Sequence, residues 1–149
     1  TRVGGFILIL ISHRGNINGP NPSMENKPEY VLDTKLKGYD VEIDVWWKED
    51  GFYLGHDEPQ YKVSREFLRE PKFWCHAKNV KAFYQMIDDV HIHCFLHDRD
   101  ELALTTRGYL WSLSETTMTD KSICVMPSLT RDLPKNVAGV CCDFVSRYE

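Results

Sequence analysis

Long apolar runs and clusters of basic residues are both lacking from this chain. The longest early apolar run covers residues 6–11, far short of the roughly 20 residues that a membrane-spanning helix needs. No small-residue cleavage site follows it, so we expect a buried strand and neither a signal sequence nor a membrane span. The formal net charge is −4 and lysine and arginine form no run, which argues against nucleic acid as a partner.

Cysteine is absent before Cys75 and shows no regular spacing after it. The five cysteines are odd in number, lie mainly inside apolar runs and include no Cys-x-x-Cys pair. This pattern argues against a disulfide framework and against a cysteine-based metal knuckle. Because it is typical of a reducing compartment, we expect a cytoplasmic protein.

The 149 residues have the composition of an ordinary globular domain, with 42% hydrophobic and 27% charged residues. We therefore expect one domain over residues 1–149. Short apolar runs alternate with polar or helix-like stretches, which predicts an α/β fold with a mainly parallel sheet. The predicted strands cover residues 6–11, 41–47, 52–54, 73–77, 90–96, 108–113, 122–126 and 137–145. The predicted helices cover residues 25–37, 64–69, 79–88 and 99–106, the last with Asp98 as its N-cap.

Alternation along three predicted strands separates an apolar face from a polar one. In the second strand, Val41, Ile43 and Val45 share one face and leave Glu42 and Asp44 on the other. A parallel sheet that is buried on both faces would not show this pattern. The polar faces of the strands at 73–77 and 90–96, with the residues that follow them, carry Trp74, His76, Lys78, His91, His93, Phe95 and His97.

Glu42 and Asp44 are candidate metal ligands. Both lie in an apolar run beside Trp46 and Trp47, where two carboxylates would repel each other and lose hydration unless a cation compensates them. A divalent metal is the simplest compensation, because hard cations prefer carboxylate oxygens.

Two histidines, His13 and His56, each follow an apolar run and precede polar turn residues. Histidine is well suited to move protons near neutral pH, and two of them on opposite sides of a phosphorus could act as base and acid. Arg14 follows the first histidine and can donate two parallel hydrogen bonds to phosphate oxygens. Together these residues indicate metal-assisted phosphate chemistry.

The order of these motifs resembles the opening signature of the glycerophosphodiester phosphodiesterase family. The resemblance is strongest over residues 6–59, and residues 73–78 and 139–143 resemble two later strands of the family. Its motifs in this chain are His13-Arg14-Gly15, Glu25-Asn26, Glu42-Ile43-Asp44-Val45, Asp50-Gly51 and Gly55-His56-Asp57.

This resemblance implies a TIM-type (β/α) barrel that hydrolyses a phosphodiester with magnesium or calcium. Such barrels usually take about 250 residues, so we expect a compact, shortened barrel with seven or eight mainly parallel strands and reduced helices. The implied roles are His13 and His56 as general base and acid, Glu42 and Asp44 as metal ligands, and Arg14 and Lys78 as phosphate contacts.

His76 departs from the family pattern, because it stands where the family has a third metal carboxylate. Imidazole is a neutral and softer ligand, so we expect weaker magnesium binding, with manganese or zinc as alternatives. In a second interpretation, His76 only forms hydrogen bonds near the site and the metal keeps two protein ligands. Glu25 and Asn26 have competing interpretations as caps of the first helix.

The leading hypothesis is a metal-dependent hydrolase of a small, glycerophosphodiester-like substrate, with water or a substrate hydroxyl as the nucleophile. One alternative is a lyase resembling sphingomyelinase D, which would form a cyclic phosphate. Another is a non-catalytic phosphate-binding module or subunit that has lost a metal ligand. The short chain also allows a homo-oligomer, or an incomplete barrel whose sheet edges need a partner.

Overall fold

The computed structural model describes residues 2–3, 6–113 and 115–149, and strands predominate in it. The strands are β1 (Arg2–Val3), β2 (Phe6–Ile7), β3 (Ile9–His13), β4 (Asp40–Lys48), β5 (Gly51–Leu54), β6 (Tyr61–Val63), β7 (Phe73–Ala77), β8 (Cys94–Leu96), β9 (Leu102–Leu104), β10 (Leu110–Leu113), β11 (Ser122–Val125) and β12 (Gly139–Cys142). The α-helices are α1 (Pro28–Leu36), α2 (Arg65–Leu68) and α3 (Val80–Ile87), and a 3₁₀ helix covers Val145–Tyr148.

Ten of the described strands form one curled mixed sheet with the shape of a half-barrel. Parallel β3 and then antiparallel β5 pair with one edge of β4, and parallel β7 pairs with its other edge. From β3 the sheet continues through parallel β12, β11 and β10 to antiparallel β9. β8 extends it beyond β7, and β6 beyond β5. The parallel strands therefore end at one common edge of the sheet.

The first three predicted helices are confirmed with shorter bounds, and local sequence explains where each begins. Pro28 begins α1. Proline has no backbone N–H, and this costs nothing here because an N–H at the first position of a helix has no acceptor within the helix. Ser64 caps α2 by accepting the Phe67 N–H, and Asn79 caps α3 by accepting the Ala82 N–H.

The fourth predicted helix, over residues 99–106, is wrong. Its centre forms β9, which pairs antiparallel with β10 across a turn that contains Gly108 at φ 84°. Leu102 and Leu104 are exposed. Ala103 between them packs against buried side chains that include Trp111. This period of two suits a strand, and Gly108 supplies the left-handed backbone that the turn needs.

The prediction of a shortened TIM-type (β/α) barrel is also wrong. Strands hold 32% of the residues and helices 18%, and the sheet is mixed. The last described α-helix, α3, ends at Ile87, and the described residues of the connections from β8 onward form no α-helix. Over the described residues, this half of the sheet therefore lacks the outer layer of helices that encloses a TIM barrel.

The two faces of the sheet carry separate cores. Glu42 and Asp44 lie on the face of β4 opposite to that of Ile43, as the alternation predicts. The outer cluster packs the three helices against the sheet and includes Val31, Val41, Ile43, Val45, Leu68, Phe73, Cys75, Ala77, Ala82 and Met86. The inner cluster is rich in aromatic rings and consists of Ile11, Trp74, Phe95, Trp111, Ile123 and Cys141.

Candidate metal centre

Glu42, Asp44 and His76 form a buried cluster on the inner face of the sheet. His76 lies beside Asp44 in the parallel register of β7 and β4. Glu42 and Asp44 are 2% and 1% exposed. One ligand atom from each of the three residues lies within 4.8 Å of the other two. The structure therefore brings together the three residues that the sequence predicts as metal ligands.

The imidazole of His76 presents its Nδ1 to both carboxylates. Nδ1 lies 3.4 Å from Glu42 Oε2 and 3.3 Å from Asp44 Oδ1. Nε2 donates to the carbonyl oxygen of His97 at 2.8 Å, and the ring stacks on Phe95. Because a carbonyl oxygen only accepts, Nε2 carries a proton in either charge state of the ring. A neutral His76 therefore has an unprotonated Nδ1 that faces the acids.

The charges around His76 favour its protonated form. Burial opposes that form, but the contacts with Asp44 and Glu42 raise the pKa of His76 to about 9. Burial would raise the pKa of Asp44, but His76, Arg14 and Asn26 hold it well below its ordinary value. The imidazolium compensates part of the carboxylate charge, and a cation bound to Nδ1 would displace the proton there.

Arg14 places a fixed positive charge beside this cluster. Its Nε lies 3.1 Å from Asp44 Oδ2, and its Nη1 donates to Glu25 Oε1 at 3.2 Å. Its backbone adopts a left-handed conformation, φ 59°, and its N–H donates to the Glu42 carbonyl at 2.9 Å. Burial would lower the pKa of Arg14, but the neighbouring carboxylates raise it. The loop after β3 is thus fixed against β4 at the site.

Two carboxylate oxygens of the cluster are buried without a hydrogen-bond partner among the described residues. They are Glu42 Oε1 and Asp44 Oδ1. Leaving a buried charged oxygen unsatisfied is costly, and a divalent cation would satisfy both. Two carboxylates and one imidazole form a donor set that suits manganese or zinc as well as magnesium. The residues present therefore fit a divalent cation.

His13 lies at the end of β3, beside Glu42 in the register with β4. Its Nδ1 is 2.8 Å from Asp143 Oδ1, an oxygen that also accepts from Asn16 Nδ2 at 2.8 Å. Burial lowers the pKa of His13, but the hydrogen bond to Asp143 and the charge of Glu42 outweigh burial and raise it. With Nδ1–H donating to the carboxylate, Nε2 is the nitrogen available for proton transfer.

His56 lies on the loop after β5 and is the more exposed of the two predicted catalytic histidines. Its side chain is 44% exposed, against 17% for His13. Its Nδ1 is 2.8 Å from Asp57 Oδ1. It lines a cavity of about 270 Å³ together with Arg14 and Glu25. His56 thus lines the same cavity as Arg14, whose guanidinium lies beside Asp44.

Lys78 directly follows β7, two residues beyond His76. Its backbone N–H donates to the Val45 carbonyl at 2.8 Å, which extends the pairing of β7 with β4. The residue is half-buried. Its position places it at the same edge of the sheet as His13 and His76, and its role as a phosphate contact stays a prediction.

Three polar residues that contact the site have no site role predicted from the sequence: Asp143, Asn16 and Asn26. Asp143 is the first polar residue after the apolar strand β12, and that position at the carboxyl end of a strand is the signal that could have identified it. Asn16 had no comparable signal, since it lies in a turn. For Asn26, the competing interpretation as a helix cap is wrong, because the N-cap of α1 is Lys27, which makes no side-chain cap.

Comparison of the chain with protein-family models, with curated proteins and with solved structures returned no match. Membership of the glycerophosphodiester phosphodiesterase family therefore stays a prediction from the motifs. None of the described helices is long and apolar enough to cross a membrane.

Proposed function

We propose that the chain is a divalent-cation-dependent phosphodiesterase. The observation that carries this proposal is a pair of buried carboxylate oxygens without a hydrogen-bond partner in the described part of the chain, Glu42 Oε1 and Asp44 Oδ1. They lie beside His13, whose ring is oriented by a carboxylate. The first feature calls for a cation, and the second supplies a proton acceptor. His13 occupies the strand position next to Glu42, so both functions meet at one edge of the sheet.

His13 serves as the general base in this proposal. Asp143 accepts the Nδ1–H of His13 at 2.8 Å, which fixes the tautomer and stabilises the imidazolium that forms when Nε2 takes a proton from the nucleophile. His56, held by Asp57 at 2.8 Å, donates a proton to the departing alkoxide. Its exposed position suits a group that exchanges protons with solvent between turnovers.

The charges of the site favour a phosphodiester over a neutral ester. Arg14 and Lys78 supply positive charge toward the phosphoryl oxygens, and their contribution grows as charge develops in the transition state. When bound, the cation would add Lewis-acid polarisation of the phosphoryl group. Water as the nucleophile gives a linear phosphate product, and a substrate hydroxyl gives a cyclic phosphate. Phosphorus NMR of the first product distinguishes these two routes.

The test is turnover of a chromogenic aryl phosphodiester and of a glycerophosphodiester with Mg²⁺, Mn²⁺, Ca²⁺ or Zn²⁺. Loss of a general acid or base typically costs about 10² to 10⁴ in rate. We therefore expect at least a 100-fold loss for His13→Ala and for His56→Ala. His91→Ala, which changes an exposed histidine, is the matched control. Parental rates in both catalytic variants would contradict the assignment.

A second candidate function is phosphate binding without turnover. The observation in its favour is His76, whose Nδ1 lies within 3.4 Å of both carboxylates. When protonated, its ring and the Arg14 guanidinium beside Asp44 together balance the two carboxylate charges without a metal. This candidate predicts that inorganic phosphate binds in calorimetry, that Arg14→Gln weakens this binding, and that no cation produces turnover of either phosphodiester.

A further inference from the structure

We infer that Asn26 is a positioning residue that fixes the orientation of the Asp44 carboxylate, so that one of its oxygens stays free for a cation. This inference rests on the metal-binding part of the proposed function and names a residue to which the motif assigns no such role.

The side chain of Asn26 forms two hydrogen bonds with Asp44. Its Oδ1 accepts the Asp44 backbone N–H at 2.9 Å, and its Nδ2 donates to Asp44 Oδ2 at 2.9 Å. Asn26 is 1% exposed. An amide is the side-chain group that can accept from a backbone N–H and donate to the carboxylate of the same residue at once.

The backbone around Asn26 is shaped for this contact. Asn26 has φ 67°, a left-handed conformation that asparagine tolerates better than most residues. Its N–H donates to the Arg14 carbonyl at 3.1 Å, and the Arg14 N–H donates to the Glu42 carbonyl at 2.9 Å. The left-handed backbones of Arg14 and Asn26 thus connect the loop to β4 beside the cluster, and such strained conformations persist where the surrounding structure holds them.

The consequence is an asymmetric carboxylate. Asp44 Oδ2 is occupied, because it accepts from Asn26 Nδ2 and lies 3.1 Å from Arg14 Nε. Asp44 Oδ1 has no hydrogen-bond partner and lies 3.3 Å from His76 Nδ1. The terminal torsion of aspartate is broad, so without Asn26 the plane of the carboxylate could rotate and turn its free oxygen away from the cluster. With Asn26 in place, Oδ1 stays directed at the cluster.

The experiment is a calorimetric titration of the cation-free protein with MnCl₂ at a temperature where every variant is folded by circular dichroism. Groups that orient metal ligands typically contribute about 10- to 100-fold in affinity, so we expect Asn26→Gly to weaken Mn²⁺ binding at least 10-fold. Glycine tolerates the backbone angle, so this variant removes both hydrogen bonds without adding strain. Asn136→Gly is the matched control, because Asn136 is exposed and has φ 64°. It should bind Mn²⁺ like the parent.

Binding by Asn26→Gly within threefold of the parent would overturn the inference. If that variant does not fold, Asn26→Asp replaces it, since aspartate keeps the acceptor for the Asp44 N–H and loses the donor to Oδ2. Weaker Mn²⁺ binding despite the added negative charge supports the inference, and equal or tighter binding contradicts it. A parent that binds Mn²⁺ but turns over no phosphodiester refutes the catalytic proposal and leaves Asn26 testable by affinity. A parent that binds no Mn²⁺ refutes both.

Discussion

Acid should destabilise the protein through His93, a histidine on the inner face that lies outside the proposed site. The residue is 2% exposed, its Nε2 lies 2.8 Å from Thr105 Oγ1, and its ring packs 4.2 Å from that of Trp74. Burial, with a smaller effect of the Arg107 charge, lowers its pKa from 6.5 to about 4. The unfolded chain therefore binds a proton more readily than the native protein between these values. Stability contributed by neutral His93 is complete above pH 6.5 and is lost as the pH falls toward 4.

The size of the effect follows from the two pKa values. With a pKa of 6.5 unfolded and about 4 folded, the free energy of unfolding should fall by about 2 kcal/mol between pH 7 and about pH 4.5 through this group alone. His93→Gln removes the ionisation and keeps a polar group near Thr105. Between pH 7 and about pH 4.5, the free energy of unfolding of the parent should therefore fall by about 2 kcal/mol more than that of His93→Gln.

Urea unfolding followed by tryptophan fluorescence at the two pH values measures this shift. Taking the difference between parent and variant cancels the titration of the other groups, which include histidines with raised pKa values. His91→Gln, at an exposed position two residues away, should lose stability in parallel with the parent. The reasoning would be refuted by a His93→Gln variant whose acid sensitivity equals that of the parent.

Three further outcomes are expected. In thermal unfolding, MnCl₂ at 100 times its dissociation constant should stabilise the parent by about 2.7 kcal/mol and should not stabilise Asp44→Asn. An equal gain in both proteins would show that the cation binds elsewhere. His76→Glu brings three carboxylates together, so this variant should have a lower melting temperature than the parent without metal. In calorimetry it should bind Mg²⁺ at least 10-fold more tightly than the parent, and unchanged Mg²⁺ affinity would exclude position 76 as a ligand. Ile43→Ala should cost about 3 kcal/mol in urea unfolding, since Ile43 is fully buried, whereas exposed Leu36→Ala should cost under about 0.5 kcal/mol. Similar losses in these two variants would contradict the placement of the outer core.

The candidate site was predictable where its signal was local. Alternation along β4 placed Glu42 and Asp44 on the inner face, because a one-residue shift would bury the wrong set of side chains. The same reasoning placed His76 beside them on the next parallel strand. Contacts between distant segments left no such signal: Asp143 is 130 residues from His13 in the chain, and neither residue identifies the other.

The errors in the predicted fold have a related cause. Asp98 and Glu101 have the spacing of a capped helix start, but residues 102–104 gain more by pairing with β10 than by forming an isolated helical turn. Helix formation over so short a segment is intrinsically unfavourable. The motif order likewise predicts a barrel with reduced helices outside its strands, but the described residues between β8 and β12 form no α-helix.

The position of β4 determines how the site is lost when the protein opens. Hydrogen bonds hold this strand on both edges, whereas β6 and β9 each pair with one described neighbour. Amide hydrogens of β6 and β9 should exchange with solvent through local fraying, and those along the middle of β4 should exchange only when the whole domain unfolds. The two carboxylates therefore come apart only when the whole domain unfolds, and an ion held between them slows exchange of the β4 amides while leaving the fraying of β6 and β9 unchanged.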